Sequence, residues 1–230
     1  MRKLRCFKGA GPIGPNKYWE YPWAITNAEL CGLSRLKILD AGCGKAPVQY
    51  LLAELGHHVC GIDPRENVSW HGIDRSLAAS FGLRIEYRVE GIENLSYEDN
   101  EFDRIFCLSV LEHCRAGSRD DPARPQTEED RVYQGLLIRQ LSRVLKPGGK
   151  LMVTVDFNLP TPNFPLEVNV DCQNLIESSG LEICGEIEAD KVYGSQSFDI
   201  RKVIDDPDVD IVDYQNTLQT SVGIKLKKPG

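Results

Sequence analysis

The chain has 230 residues, eight of them cysteine, a formal net charge of −7 and a sequence isoelectric point near 5.2. This length suits one domain with a substantial core. Lysine and arginine are scattered apart from short groups at the two termini, which argues against a DNA partner. No apolar run suits a signal peptide or a membrane span, and no cysteines form a C-x-x-C pair. We therefore expect a cytoplasmic protein with reduced thiols and no membrane contact.

Helix and strand patterns alternate along the chain after an aromatic N-terminal segment. This N-terminal cap, residues 1–33, is rich in Gly and Pro at first, carries four aromatic residues within Tyr18–Trp23, and ends in a helical pattern. A polar, proline-broken stretch at 115–130 predicts a loop insertion over the active-site edge. The predicted helices are 24–33, 46–55, 76–81, 128–145 and 168–179, and the predicted strands are 37–41, 58–62, 84–89, 102–108, 150–156, 181–187 and 220–226.

The alternation predicts an α/β fold, a doubly wound Rossmann-like sheet that is mostly parallel with an antiparallel last strand. We expect residues 1–230 to form this one domain, with the N-terminal cap and the 115–130 loop attached to it. Thr127 is the expected N-cap of the helix at 128–145, and Pro147-Gly148-Gly149 is expected to end that helix. Ligands of such sheets bind at the carboxyl ends of the strands.

The first strand pattern ends in a glycine turn that has an acid in front of it, Asp40-x-Gly42-x-Gly44. A dinucleotide site needs a further glycine where this chain has Pro47, which is a poor fit to a pyrophosphate. The Asp40 carboxylate suits an ammonium group, and Asp63, after the second strand, suits two ribose hydroxyls. S-adenosylmethionine carries an ammonium and a ribose but no phosphate, so the turn favours this cofactor over NAD.

Three sequence blocks, in this order, resemble the class I S-adenosylmethionine-dependent methyltransferases of the small single-domain kind called type 11. The resemblance covers about half of the chain and extends more loosely over the rest. The blocks are Leu39–Gly44, Glu101–His113 and Leu141–Leu151.

The resemblance implies which residues bind the cofactor. Asp40, Gly42 and Gly44 would wrap its methionine part, Asp63 would bind its ribose, and Ser109, after the fourth strand, would face it.

At the adenine end the chain departs from the pattern of the family. Relatives often place an aspartate after the third strand to meet the adenine amino group, and here that position holds Gly91. Glu90, one residue earlier, can take its place. Alternatively, the backbone of Gly91 and Ile92 binds the base and the Ile92 side chain packs on the ring. Both interpretations stay open.

Chemistry at the methyl group points to Glu112 and His113, which follow the fourth strand. An imidazole titrates near neutrality, so His113 is the candidate general base. The alternative is a structural histidine that fixes the turn after the strand. Glu112 is a candidate acceptor-binding residue. No His, Asp or Glu grouping has the spacing of metal ligands, so we expect no metal.

The aromatic side chains of the N-terminal cap have two interpretations. They form a lid over the cofactor or a wall of the acceptor site, or they dock the cap on the sheet. Glu20, between them, could also meet the acceptor. The candidate acceptor residues here are Tyr18, Trp19, Tyr21 and Trp23.

Together these features predict transfer of a methyl group from S-adenosylmethionine to a small-molecule acceptor, by O- or N-methylation, with S-adenosylhomocysteine as product. Two alternatives remain, a non-catalytic subunit that binds the cofactor for a partner and another transferase that uses the same cofactor. The identity of the acceptor and the oligomeric state are left open.

Overall fold

The computed structural model describes residues 16–44, 46–64, 75–117, 126–158, 170–184, 212–214 and 217–230. The strands are β1 Lys37–Ala41, β2 His58–Asp63, β3 Ile85–Val89, β4 Phe102–Leu108, β5 Leu145–Asn158, β6 Glu182–Ile183, β7 Val212–Tyr214 and β8 Thr217–Lys227. The helices are α1 Lys17–Asn27, α2 Pro47–Glu54, α3 Arg75–Ser80, α4 Glu128–Val144 and α5 Cys172–Ser179.

One eight-stranded sheet organises the described part of the chain. Its order is β3-β2-β1-β4-β5-β8-β6, with β7 paired to β8. Strands β1 to β5 pair in parallel, whereas β8 runs antiparallel to β5 and β6. The predicted doubly wound sheet with an antiparallel last strand is confirmed.

Alternating residues of the central strands build a core on each face of the sheet. Leu39 and Ile105 point to the face covered by α4 and α5, where the larger apolar cluster lies. Ile38 and Phe106 point to the other face, where they pack with α1 and α2. The carboxyl ends of β1, β2 and β4 therefore reach one edge of a sheet that is covered on both sides.

Helix α1 differs from its prediction, because it runs from Lys17 to Asn27 and not from 24 to 33. Its N-terminal half carries the aromatic residues, and Trp19 and Trp23, one helical turn apart, stack with ring centroids 5.6 Å apart. Pro22 lies inside the helix, whereas the sequence pattern predicts a helix that begins after this proline. The aromatic segment and the helix are thus one element.

Helix α4 begins as predicted but ends earlier. The Thr127 hydroxyl accepts a hydrogen bond from the Asp130 N–H at 3.3 Å, and the Asp130 carboxylate accepts one from the Thr127 N–H at 2.9 Å. The helix ends at Val144, one residue before the predicted bound, because Leu145 is already extended and pairs with Phe102 in the sheet. The proline and glycines lie within β5.

Several other predicted bounds are corrected. Strand β5 is longer than the predicted 150–156 and β6 is shorter than the predicted 181–187, of which 185–187 lie outside the described residues. Helix α5 starts at Cys172, after an Asp171 side chain that accepts from the Asn174 N–H. Much of the predicted 115–130 loop, residues 118–125, also lies outside the described residues.

Candidate functional site

The glycine turn joins β1 to α2 and lies against the end of β2. The N–H groups of Gly42 and Cys43 both donate to the Ile62 carbonyl at 2.9 Å. Gly42 has φ +72° and Gly44 has φ +47°, a region that L-residues with side chains adopt at a cost. A Cβ on Gly42 would lie 2.5 and 2.7 Å from the two methyl carbons of Val110. Position 42 therefore requires glycine for its conformation and for its space.

Asp40 ends in a buried carboxylate directly in front of this turn. Its Oδ2 has no hydrogen-bond partner among the described residues. Burial raises the pKa of the Asp40 carboxyl to about 7, and the Asp63 carboxylate adds to the rise while hydrogen bonding to Gln49 opposes it. A buried acid with one unpartnered oxygen beside a backbone turn fits the ammonium of S-adenosylmethionine, which is the group that the sequence predicts there.

Asp63 is the last residue of β2 and is buried at the same edge. Its Oδ2 accepts from the Gly44 N–H at 3.4 Å, so the carboxylate lies against the glycine turn. Its own carbonyl accepts from the Glu90 N–H at 3.1 Å, which connects the ends of β2 and β3. The structure thus brings the predicted methionine-binding turn, ribose acid and adenine-side segment together.

The adenine-side residues follow β3. The Glu90 carboxylate accepts hydrogen bonds from the Ser96 N–H and, at 3.0 Å, from the Ser96 hydroxyl. Ile92 is buried at the start of a short 3-10 turn, and a Cβ on Gly91 would lie 2.4 Å from a Glu93 carboxylate oxygen. Glu90 therefore shapes this segment, and whether it also meets adenine stays a prediction.

Ser109 lies at the end of β4 in an unusual conformation, φ +52°. Its N–H donates to the Thr154 carbonyl at 3.0 Å, and its hydroxyl donates to the Glu20 carboxylate. The same Glu20 oxygen accepts from the Thr154 hydroxyl at 3.0 Å, and the Lys17 ammonium binds the other oxygen. Helix α1 is thereby held at the end of β4 and β5 through a fully buried acid.

Burial raises the pKa of the Glu20 carboxyl, and Asp156 adds to the rise, whereas Lys17 opposes it. Asp156 accepts hydrogen bonds from the side chains of Asn16 and Ser221, both at 2.6 Å. Both partners lie far from Asp156 in the chain, so no local sequence pattern indicates this contact.

Glu112 is buried next to Asp156, and His113 is exposed. One Glu112 oxygen accepts from the Asp156 N–H at 3.1 Å, and the other has no hydrogen-bond partner among the described residues. Burial raises the pKa of the Glu112 carboxyl well above its usual range, with Asp156 contributing. The two neighbours in sequence thus occupy opposite environments, and their predicted roles at the methyl group stay predictions.

The aromatic residues of α1 divide between the two interpretations. Trp23 packs on β8, where a Cβ on Gly223 would lie 2.4 Å from the indole ring, so Trp23 docks the helix. Tyr18 is 72% exposed. Burial raises the pKa of the Tyr21 phenol. The Asp40 and Glu20 carboxylates add to the rise, so the phenol lies near these two acids. Acceptor binding by Tyr18, Trp19, Tyr21 and Trp23 remains a prediction.

Comparison with known proteins identifies the same region. The family described as "Methyltransferase domain" matches residues 39–153. A ubiquinone biosynthesis O-methyltransferase from Xanthomonas oryzae pv. oryzae is 31% identical over 127 residues, which cover 53% of this chain and 44% of the relative. A protein of the same name from Methylocella silvestris is 44% identical over 82 residues, which cover 35% and 31% of the two chains.

A solved structure resembles the fold over nearly the whole chain. The Burkholderia thailandensis 1,6-didemethyltoxoflavin-N1-methyltransferase, bound to 1,6-didemethyltoxoflavin and S-adenosylhomocysteine, aligns with a TM-score of 0.57 at 14% identity. The alignment covers 96% of this chain and 93% of that one. By contrast, the matched region spans less than half the length of these two curated relatives.

Replacing Gly42 with Ala tests the close contact at the turn. We expect Gly42→Ala to lower the free energy of unfolding by about 1–2 kcal/mol, because alanine is strained in the left-handed conformation. The added methyl group also displaces Val110, which should cost about 1–3 kcal/mol more. Gly32→Ala is the matched control, because Gly32 has φ +74° and no atom within 4 Å of its Cβ position. Urea denaturation measures both losses. Equal losses, or no recovery on adding Val110→Ala, would contradict the role of the contact.

The pKa of Asp40 predicts that cofactor binding depends on pH. Below about pH 7 the carboxyl is protonated and neutral, and above it the carboxylate can pair with an ammonium. We expect the affinity for S-adenosylmethionine to rise between about pH 5.5 and about pH 7, by up to about tenfold per pH unit. Calorimetric titration measures this slope. Asp40→Asn should bind weakly with a flat profile, and an unchanged slope in that variant would assign the titration to another group.

Proposed function

The chain belongs to the family of methyltransferase domains, and we propose that it transfers a methyl group from S-adenosylmethionine to a small-molecule acceptor, leaving S-adenosylhomocysteine. The observation that carries the proposal is the unpartnered Asp40 oxygen at a glycine turn that also contacts Asp63. An ammonium beside Asp40 and a ribose beside Asp63 would engage both carboxylates. S-adenosylmethionine, the cofactor of this family, carries an ammonium and a ribose.

The chain's residues act mainly by holding two reactants in place. Asp40 receives the ammonium, the backbone from Gly42 to Gly44 follows the methionine part, and Asp63 accepts from the ribose hydroxyls. Glu90, or the backbone after it, meets the adenine. Ser109 faces the cofactor from the end of β4, in a position that Glu20 fixes.

When bound, the cofactor would supply a methyl group activated by its sulfonium, and the acceptor would give up one proton as it takes the methyl group. The protein contributes alignment, which is worth roughly 7–11 kcal/mol in well-oriented systems. Tyr18, Trp19, Tyr21 and Trp23 of α1, with Glu112, form the proposed acceptor side.

A small molecule is the proposed acceptor because the net charge of −7 argues against a nucleic acid. The curated relatives are named as O-methyltransferases and the structural relative as an N-methyltransferase, so both acceptor atoms stay open. The described cysteines are free thiols, in keeping with a reducing cytoplasmic location. No helix in the described ranges is both long and apolar enough to cross a membrane.

Calorimetry and turnover together test the proposal. We expect the purified chain to bind S-adenosylmethionine and S-adenosylhomocysteine, and to form S-adenosylhomocysteine with at least one member of a panel of hydroxyl and amine acceptors. Binding without turnover across the panel would favour the non-catalytic subunit. Turnover that transfers another part of the cofactor would favour the other transferase.

Asp63→Ala tests the ribose acid. We expect both cofactor forms to bind more weakly by about 1.5–3 kcal/mol, because the variant loses a charged acceptor of hydrogen bonds. Asp99→Ala is the control, since Asp99 is an exposed acid paired with Arg143. Unchanged affinity in Asp63→Ala would remove Asp63 from the site.

His113→Ala tests the proposed general base. We expect turnover to fall by about 10²- to 10⁴-fold with little change in cofactor affinity, because the variant loses a proton acceptor and no cofactor contact. The pH–rate profile should also lose the limb that histidine protonation causes. A variant that keeps its activity and its pH profile would leave His113 with a structural role, which its exposure also suits.

A further inference from the structure

A second group of reactive side chains lies at the other end of β2, away from the cofactor edge. His58 is the first residue of β2, and Cys60, two residues later, points to the same face of the strand. Glu86 on the neighbouring strand β3 is the direct register partner of Cys60. The parallel pairing therefore brings an imidazole, a thiol and a carboxylate together.

The distances among these groups suit a shared ion. His58 Nε2 is 3.0 Å from Glu86 Oε1, and Cys60 Sγ is 4.0 Å from Glu86 Oε2. One ligand atom from each residue lies within 4.8 Å of the other two. Zn²⁺ binds N, O and S at about 2.0–2.3 Å, which separates tetrahedral ligands by roughly 3.3–3.6 Å. Shifts of less than about an ångström would complete the arrangement.

Access and ligand type both favour zinc. The His58 and Glu86 side chains are 31% and 53% exposed, so an ion can reach them from solvent, while Cys60 closes the site from the core side. Thiolate and imidazole together select Zn²⁺ over Mg²⁺ or Ca²⁺, which take oxygen ligands.

The surroundings also suit an ion. The Tyr97 hydroxyl is buried beside the Cys60 thiol, where it can donate a hydrogen bond to a bound thiolate. Two cationic side chains lie near the cluster, and each already has another partner. The Lys37 ammonium binds Glu101, and the Arg88 guanidinium stacks 4.1 Å from the Tyr97 ring centre.

We propose that His58, Cys60 and Glu86 form a Zn²⁺ site, with water as the fourth ligand. Binding replaces the thiol proton, which leaves to solvent, and changes no oxidation state. The site is separate from the proposed methyl transfer but shares its strands. β2 ends at Asp63, and β3 ends just before Glu90. An ion at the start of these strands would hold together the pair that forms the ribose and adenine side.

Titration of the metal-free 230-residue chain with Co²⁺ tests the proposal. Co²⁺ takes the place of Zn²⁺ and reports a thiolate ligand through a charge-transfer absorption. We expect one equivalent of Co²⁺ to produce this absorption and Zn²⁺ to remove it. Cys60→Ser should abolish it, and Glu86→Gln should weaken Co²⁺ binding by about tenfold or more.

Cys31→Ser is the matched control, because Cys31 is an exposed free thiol outside the cluster, and it should leave the titration unchanged. Glu86 is on the surface, so Glu86→Gln remains informative if Cys60→Ser fails to fold. No Co²⁺ signal in the unaltered chain would mean that His58 and Glu86 are an ion pair only. A signal that survives in both Cys60→Ser and Glu86→Gln would equally overturn the site.

Discussion

The contact between the glycine turn and its neighbours governs the geometry of the whole cofactor edge. Two N–H groups of the turn share the Ile62 carbonyl, and the Val110 methyl groups lie where a side chain on Gly42 would be. Because Val110 follows β4 and Ile62 lies in β2, the turn is packed between the two strands that flank β1. The turn that follows Asp40 lies so close to the sheet that the Asp63 carboxylate contacts it through the Gly44 N–H, which brings the two acids of the proposed cofactor site to one edge.

Buried acids give this edge its chemical character. Asp40 and Glu112 each keep a carboxylate oxygen without a partner among the described residues, and burial raises the pKa of both. A buried acceptor without a hydrogen bond destabilises a folded protein. A bound ligand or a proton on the carboxyl group removes this cost. The ammonium of the cofactor would complete Asp40.

Local sequence patterns predicted the parts of this arrangement that depend on local physics. The Asp40–Gly44 turn, the acid at the end of β2 and the Thr127 cap each depend on residues a few positions apart, and each lies where the pattern indicated. Local patterns do not predict contacts between residues that are far apart in the chain. Glu20 reaches Ser109 and Thr154 across 89 and 134 positions, so its central role in docking α1 has no local signature. The His58, Cys60 and Glu86 cluster was missed for the same reason, because its spacing exists only once β2 and β3 pair.

The packing of Trp23 on Gly223 ties two distant parts of the described chain together. The indole ring lies where a side chain at position 223 would be, so β8 presents bare backbone to α1. Because the two residues are about 200 positions apart, their contact closes a long loop, and the packing of the indole has to offset the entropy that this closure costs. The position of the helix that carries Glu20 and Tyr21 therefore depends on the lack of a side chain at one distant residue, which no pattern within α1 reveals.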